Sequence, residues 1–61
     1  MKKVTILYKD GVVEGIKMQD PYITQEGAIL VIANGESKRD VRVIVPVSEI
    51  RQIEVKEINE E

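Results

Sequence analysis

Eighteen of the 61 residues are Ile or Val. These β-branched side chains are stiff at χ1 and fit the pleated surface of a strand better than the crowded turns of a helix. They come in short runs separated by Asp10-Gly11, Asp20-Pro21 and Gln25-Glu26-Gly27, all of them turn signals. The expectation is an all-β fold. Five short strands would form a strongly bent antiparallel sheet or a small open barrel.

Period-two burial fixes the first hairpin. Residues 3–9 are rich in strand formers and stop at Asp10-Gly11. A two-residue turn would place Tyr8 opposite Val13 and Ile6 opposite Gly15. A three-residue loop, Lys9-Asp10-Gly11 with Gly11 left-handed, would pair Tyr8 with Val12 and Val4 with Ile16. The second register gathers Val4, Ile6, Tyr8, Val12, Ile16 and Met18 on one face, with Glu14 as the one polar intruder, and is preferred. Pro21 ends the next strand because it cannot donate to a ladder, and Tyr22-Ile23-Thr24 reads as a short extended piece.

Residues 28–33 are continuously apolar, the pattern of a strand buried on both faces. A 61-residue chain has one core, so the second face is expected to meet another subunit. After a polar loop from Asn34 to Asp40, residues 41–47 alternate, with four Val on one face and Arg42, Ile44 and Pro46 on the other. Pro46 marks a strand end or an edge. Ser48-Glu49-Ile50 reads as one helical turn, and a last strand follows over 52–56, facing inward through Ile53 and Val55. The domain spans 1–57, and 58–61 form an acidic, frayed tail.

Composition closes off several chemistries. The chain has no Cys, His, Trp or Phe, so disulfides and zinc sites are ruled out. A chain this short buries only roughly 60% of its unfolded surface and needs another source of stability. A homo-oligomer is therefore expected. Hydroxyl nucleophiles such as Ser37, Ser48 and Thr5 have no His to activate them. Ser48 reads as the start of a turn, and Asp10 and Asp20 as turn residues. No spacing of carboxylates resembles a calcium loop. The expectation is a protein that is not an enzyme and carries no metal or cofactor.

The net charge is −2, but residues 1–53 carry eight basic and seven acidic side chains, so the acidity lies in the tail. Phosphate-neutralising nucleic-acid binders are normally basic, which argues against nucleic acid. No apolar run reaches the roughly 18–20 residues of a membrane helix. Nor does the start resemble an export signal, so a cytoplasmic protein without a membrane partner is expected.

One cluster stands out. Lys38 and Arg39 share the polar loop, Arg42 begins the next strand and Arg51 opens the last one. Arginine grips phosphate or carboxylate with paired hydrogen bonds. The competing reading has Glu36, Asp40 and Glu49 neutralising these cations on a solvated surface. Of the two aromatics, Tyr8 belongs to the apolar face, whereas Tyr22 lies at a rim where it can stack on a ligand. Thr24 adds a hydroxyl. The candidate ligand-binding set is Arg39, Arg42, Arg51, Tyr22 and Thr24.

Two family patterns bear on these residues. The strand–Asp10-Gly11–strand opening, Asp20 near the end of the second strand and the closing apolar strands resemble the Sm-like small barrel. That resemblance implies an RNA-binding ring. The family shapes its RNA loop with Gly-x-x-x-x-Gly, Asp-x-x-Met-Asn and Ile-Arg-Gly. Here Gly11 and Gly15 are one residue closer, Asp20-Pro21-Tyr22-Ile23 lacks Met-Asn, and Val45-Pro46-Val47 replaces Ile-Arg-Gly. The fold is thus implied more strongly than the RNA contacts.

The segments Ile6-Leu7-Tyr8-Lys9-Asp10-Gly11 and Val45-Pro46-Val47-Ser48-Glu49-Ile50-Arg51-Gln52-Ile53 resemble short all-β proteins of Gram-positive bacteria and their phages. Some small phage β proteins are oligomeric sponges for host nucleotide signals. By that resemblance the chain is a non-catalytic oligomer that sequesters a small anionic, nucleotide-derived ligand. An Sm-like RNA-binding ring and a structural or protein-interaction module are the alternatives.

Overall fold

The computed structural model describes residues 1–37 and 39–58. It contains six strands: β1 (Lys2–Tyr8), β2 (Val13–Met18), β3 (Pro21–Glu26), β4 (Ile29–Asn34), β5 (Val41–Pro46) and β6 (Ile50–Glu57). A single 3-10 turn, Val47–Glu49, separates the last two. The fold is all-β, as the Ile and Val content implies. The ladders form two three-stranded antiparallel sheets, in the orders β2-β1-β6 and β3-β4-β5, and do not close into a barrel. The first is called sheet A and the second sheet B.

The β1–β2 hairpin has the three-residue-loop register. Val4 lies opposite Ile16 and Ile6 opposite Glu14, while the Tyr8 N–H donates to the Val12 carbonyl at 2.9 Å. Gly11 has φ of +93°, a value that strains any residue with a Cβ. Asp10 accepts the Val12 N–H at 3.0 Å through Oδ1, the Asx turn expected of it. Val12 itself is exposed, so the apolar face ends at Tyr8.

The segment after Asp20 is longer than a short extended piece. β3 runs for six residues from Pro21 and pairs along its whole length with β4. Proline costs little as the first residue of a strand. A clamp fixes the corner: the Asp20 N–H donates to Asn34 Oδ1 (2.9 Å) and the Gly35 N–H to the Asp20 carbonyl (2.8 Å).

Two irregularities re-aim the later strands. The β4–β5 register shifts between Ile32 and Ala33, so that Ile32 pairs with Val43 but Ala33 with Val41. Val41 is therefore out of phase with Val43 and Val45, and the expected face of four valines does not form. After the 3-10 turn the chain crosses to sheet A, where β6 pairs with β1. The Lys9 N–H donates to the Glu49 carbonyl (2.9 Å), tying the turn to the end of β1. At the far end the Ile58 N–H donates to the Met1 carbonyl (3.1 Å). Residues 59–61 of the expected tail lie outside the described residues.

The core lies between the sheets. Val4, Ile6 and Met18 of sheet A meet Ile32 of sheet B, with Ile16, Ile23, Leu30, Val43, Ile50 and Ile53 around them. The Cα atoms span 35 × 27 × 12 Å. The shortest dimension is close to one sheet-to-sheet spacing of about 10 Å, so the two layers share a thin core.

Candidate functional site

Side chains alternate along a strand. Since Ile32 and Leu30 face the core, Ile29, Val31 and Ala33 face the opposite way. The register then builds the outer face of sheet B row by row: Tyr22–Ala33–Val41, Thr24–Val31–Ile44 and Glu26–Ile29–Pro46. Eight of these nine residues are uncharged, and six are aliphatic or proline. Antiparallel sheets normally turn a polar face to water. This one does not.

Burial across the face is uneven. Val31 and Ala33 are covered by the flanking strands of their own chain, at 6% and 0% exposure. The middle of the apolar run is thus already buried on both faces within one chain. What stands open are Ile44 (59% exposed), Val41 (42%) and Ile29 (39%) around it. Thr24 Oγ1 is buried and has no hydrogen-bond partner. A buried hydroxyl left unpaired is costly.

The sequence-derived ligand set is divided between the sheets. Tyr22 and Thr24 share the outer face of β3. Arg42 sits at the irregularity of β5, next to Val41, and is bound to Asp40 through a two-pronged contact: Nε to Oδ1 and NH2 to Oδ2, both 2.9 Å. Hydrogen bonding to Arg42 holds the Asp40 carboxyl below the ordinary value, and the same bond raises the Arg42 guanidinium above its own. Arg39 is exposed in the 35–40 loop, where its N–H donates to Ser37 Oγ at 3.5 Å. Lys38 lies outside the described residues. Arg51 is in β6, at the register shift opposite Leu7 and Tyr8 in sheet A. Tyr22, Thr24 and Arg42 therefore belong to sheet B, and Arg51 does not.

Ile29, Val41 and Ile44 were not in that set. Ile44 was visible as an apolar residue on the polar side of its strand, a signal overshadowed by Arg42 and Pro46. Val41 depends on the β4–β5 irregularity, which no residue type announces.

Glu14, the polar intruder on the apolar face, is an exposed edge residue. Tyr8 Oη donates to its Oε1 at 2.6 Å. That bond, followed by desolvation and the charges of Glu14 and Asp10, pushes the Tyr8 phenol up to about 12. Among the described residues, no group of three or more carboxylates could hold a metal ion, and no helix is long and apolar enough to cross a membrane. Compared with protein-family models, curated proteins and solved structures, the chain matches none.

Proposed function

We propose that the protein is a non-catalytic binding module that self-associates through the outer face of sheet B and holds a small anionic ligand at the rim of that contact. The observation that carries this reading is the exposure of Ile29, Val41 and Ile44 around the covered Val31 and Ala33, where a solvated sheet would alternate to polar residues. A second copy is the occupant that such a chain most needs. Its core is small and no disulfide can reinforce it. Tyr22 and Thr24 supply a stacking ring and a hydroxyl along the β3 edge of the face, and Arg42, on β5 at the opposite edge, supplies charge once its bond to Asp40 is exchanged for the ligand. No His or Cys stands by to activate a nucleophile, which supports binding over turnover. The role matches that of a sponge for a nucleotide-derived signal.

The finer architecture belongs to the same proposal. Only Gln19 and Asp20 separate β2 from β3, so the two act as one strand bent at Asp20-Pro21 and shared by both sheets. Counted that way the chain has five strands in the plan of an Sm-like small open barrel. The RNA-binding alternative gains its support from this plan alone.

Native mass spectrometry of the purified protein tests the proposal. The expected spectrum is an oligomer that releases a small acidic molecule on activation. A bare monomer across micromolar concentrations contradicts it.

A further inference from the structure

The outer face of sheet A differs sharply from that of sheet B. Its rows, set by the same alternation, are Lys17–Lys3–Lys56, Gly15–Thr5–Glu54 and Val13–Leu7–Gln52. Three lysines stand side by side on adjacent strands. Like charges directly opposite one another destabilise a sheet. One carboxylate of the next row, Glu54, pairs with Lys56 at 3.5 Å. A second cost lies beside the first, because Gly15 is a glycine inside a strand, where it forfeits both packing and entropy.

The Lys3 side chain lies over this glycine. A Cβ at position 15 would lie 2.8 Å from Lys3 Cε and 3.5 Å from Nζ. The lysine stem therefore crosses the bare backbone of Gly15 and carries its ammonium out of its own row. It moves towards a shallow cavity of about 200 Å³ lined by Thr5, Leu7, Val13, Gln52 and Glu54. Cations, hydroxyl, carboxylate, amide and aliphatic floor then follow one another along β1. From Lys3 to Leu7 the strand rises about 13 Å, comparable to an extended nucleoside diphosphate.

We infer that this face is a second anion site, separate from the sheet B surface, and that it takes a nucleoside phosphate. Lys3, with Lys56 beside it, receives the phosphates as a point charge. Thr5 donates to a bridging or terminal oxygen. Glu54 accepts from ribose hydroxyls or an exocyclic amine, and Gln52 can both donate and accept at a base edge. Leu7 and the largely exposed Val13 support the flat ring. So short a basic patch, with Glu54 beside it, suits one compact ligand rather than a nucleic-acid strand running across the sheet. The attraction is exposed and weakens with salt.

The experiment is an NMR titration of the full chain with ADP, GDP, UDP, CDP and inorganic pyrophosphate. It is repeated with Lys3→Gln, Lys56→Gln and Gly15→Ala, and with an eight-nucleotide RNA. The inference expects amide shifts centred on Lys3, Thr5, Gly15 and Gln52, with at least one nucleoside diphosphate tighter than pyrophosphate. Each lysine variant should weaken binding about tenfold. Gly15→Ala should do the same by displacing Lys3, with the oligomeric state unchanged throughout. No shifts with any of the four nucleotides overturns the inference. So do shifts confined to Tyr22, Thr24 and Arg42 that ignore the lysine variants, although that outcome upholds the sheet B site. Tighter binding of the octanucleotide than of every mononucleotide also overturns it, in favour of a nucleic-acid track.

Discussion

Tyr8 and Glu14 are joined across the β1–β2 ladder by a 2.6 Å hydrogen bond from the phenol to the carboxylate. The bond reconciles the one charged residue on the apolar face with its surroundings. It also favours the protonated phenol, so the folded value of about 12 lies above the ordinary 10.0. The sign follows. The contribution to stability is whole below pH 10 and is lost as pH rises through the folded value. Absorbance titration at alkaline pH should show one tyrosine ionising late, and Glu14→Gln should bring it back towards 10.0.

Ile6 has no exposed surface and sits in the central strand of sheet A, between Glu14 and Ile53. Ile6→Ala should cost about 2–5 kcal/mol. Domains of this size have little more than that to lose. Denaturant titration should find the variant largely unfolded at room temperature, while Val13→Ala, at an exposed position, melts with the wild type.

Gly11 has φ of +93° and nothing within 4 Å of where a Cβ would stand. Any cost of Gly11→Ala is therefore backbone strain and not collision, about 1–2 kcal/mol. Gly11→Asn should cost less, because Asn tolerates positive φ better. Thermal melts of the two variants measure the difference.

On the proposed reading, the Asp40–Arg42 contact competes with the anion for the guanidinium. Asp40→Asn removes the competing carboxylate and should strengthen binding of the proposed anion, whereas Arg42→Ala should weaken it. Calorimetric titration reads both. In the free protein Asp40 is held below the ordinary carboxylate value, so its contribution to stability is present above that value and fades as pH falls through the lowered one. Carboxyl NMR should show Asp40 titrating late on acidification, and at the ordinary pH in Arg42→Gln.

Sequence and structure agree where a local pattern decides. The hairpin register follows from alternation around Asp10-Gly11, and the helical turn near Ser48 from the residues that form it. They part where pairing is remote or irregular. Pro21 reads as a breaker, yet at the first position of β3 it removes no essential donor. Arg51 reads as a neighbour of Arg42, but the 3-10 turn delivers β6 to β1 in the other sheet. The cover over Val31 and Ala33 is not legible either, because Tyr22, Thr24, Val41 and Ile44 come to flank them only through the ladders. The lysine row was invisible because Lys3, Lys17 and Lys56 come together only through two ladders.

Sedimentation velocity of the wild type and Ile44→Lys tests the proposed contact most directly. Ile44 is 59% exposed at the centre of the edge strand of the sheet B face, so a lysine there leaves the core intact and places a charge in the contact. The account predicts an oligomer for the wild type at micromolar concentration, and a monomer with an unchanged β-sheet circular dichroism spectrum for Ile44→Lys. A monomeric wild type, or an oligomer indifferent to the lysine, would contradict it.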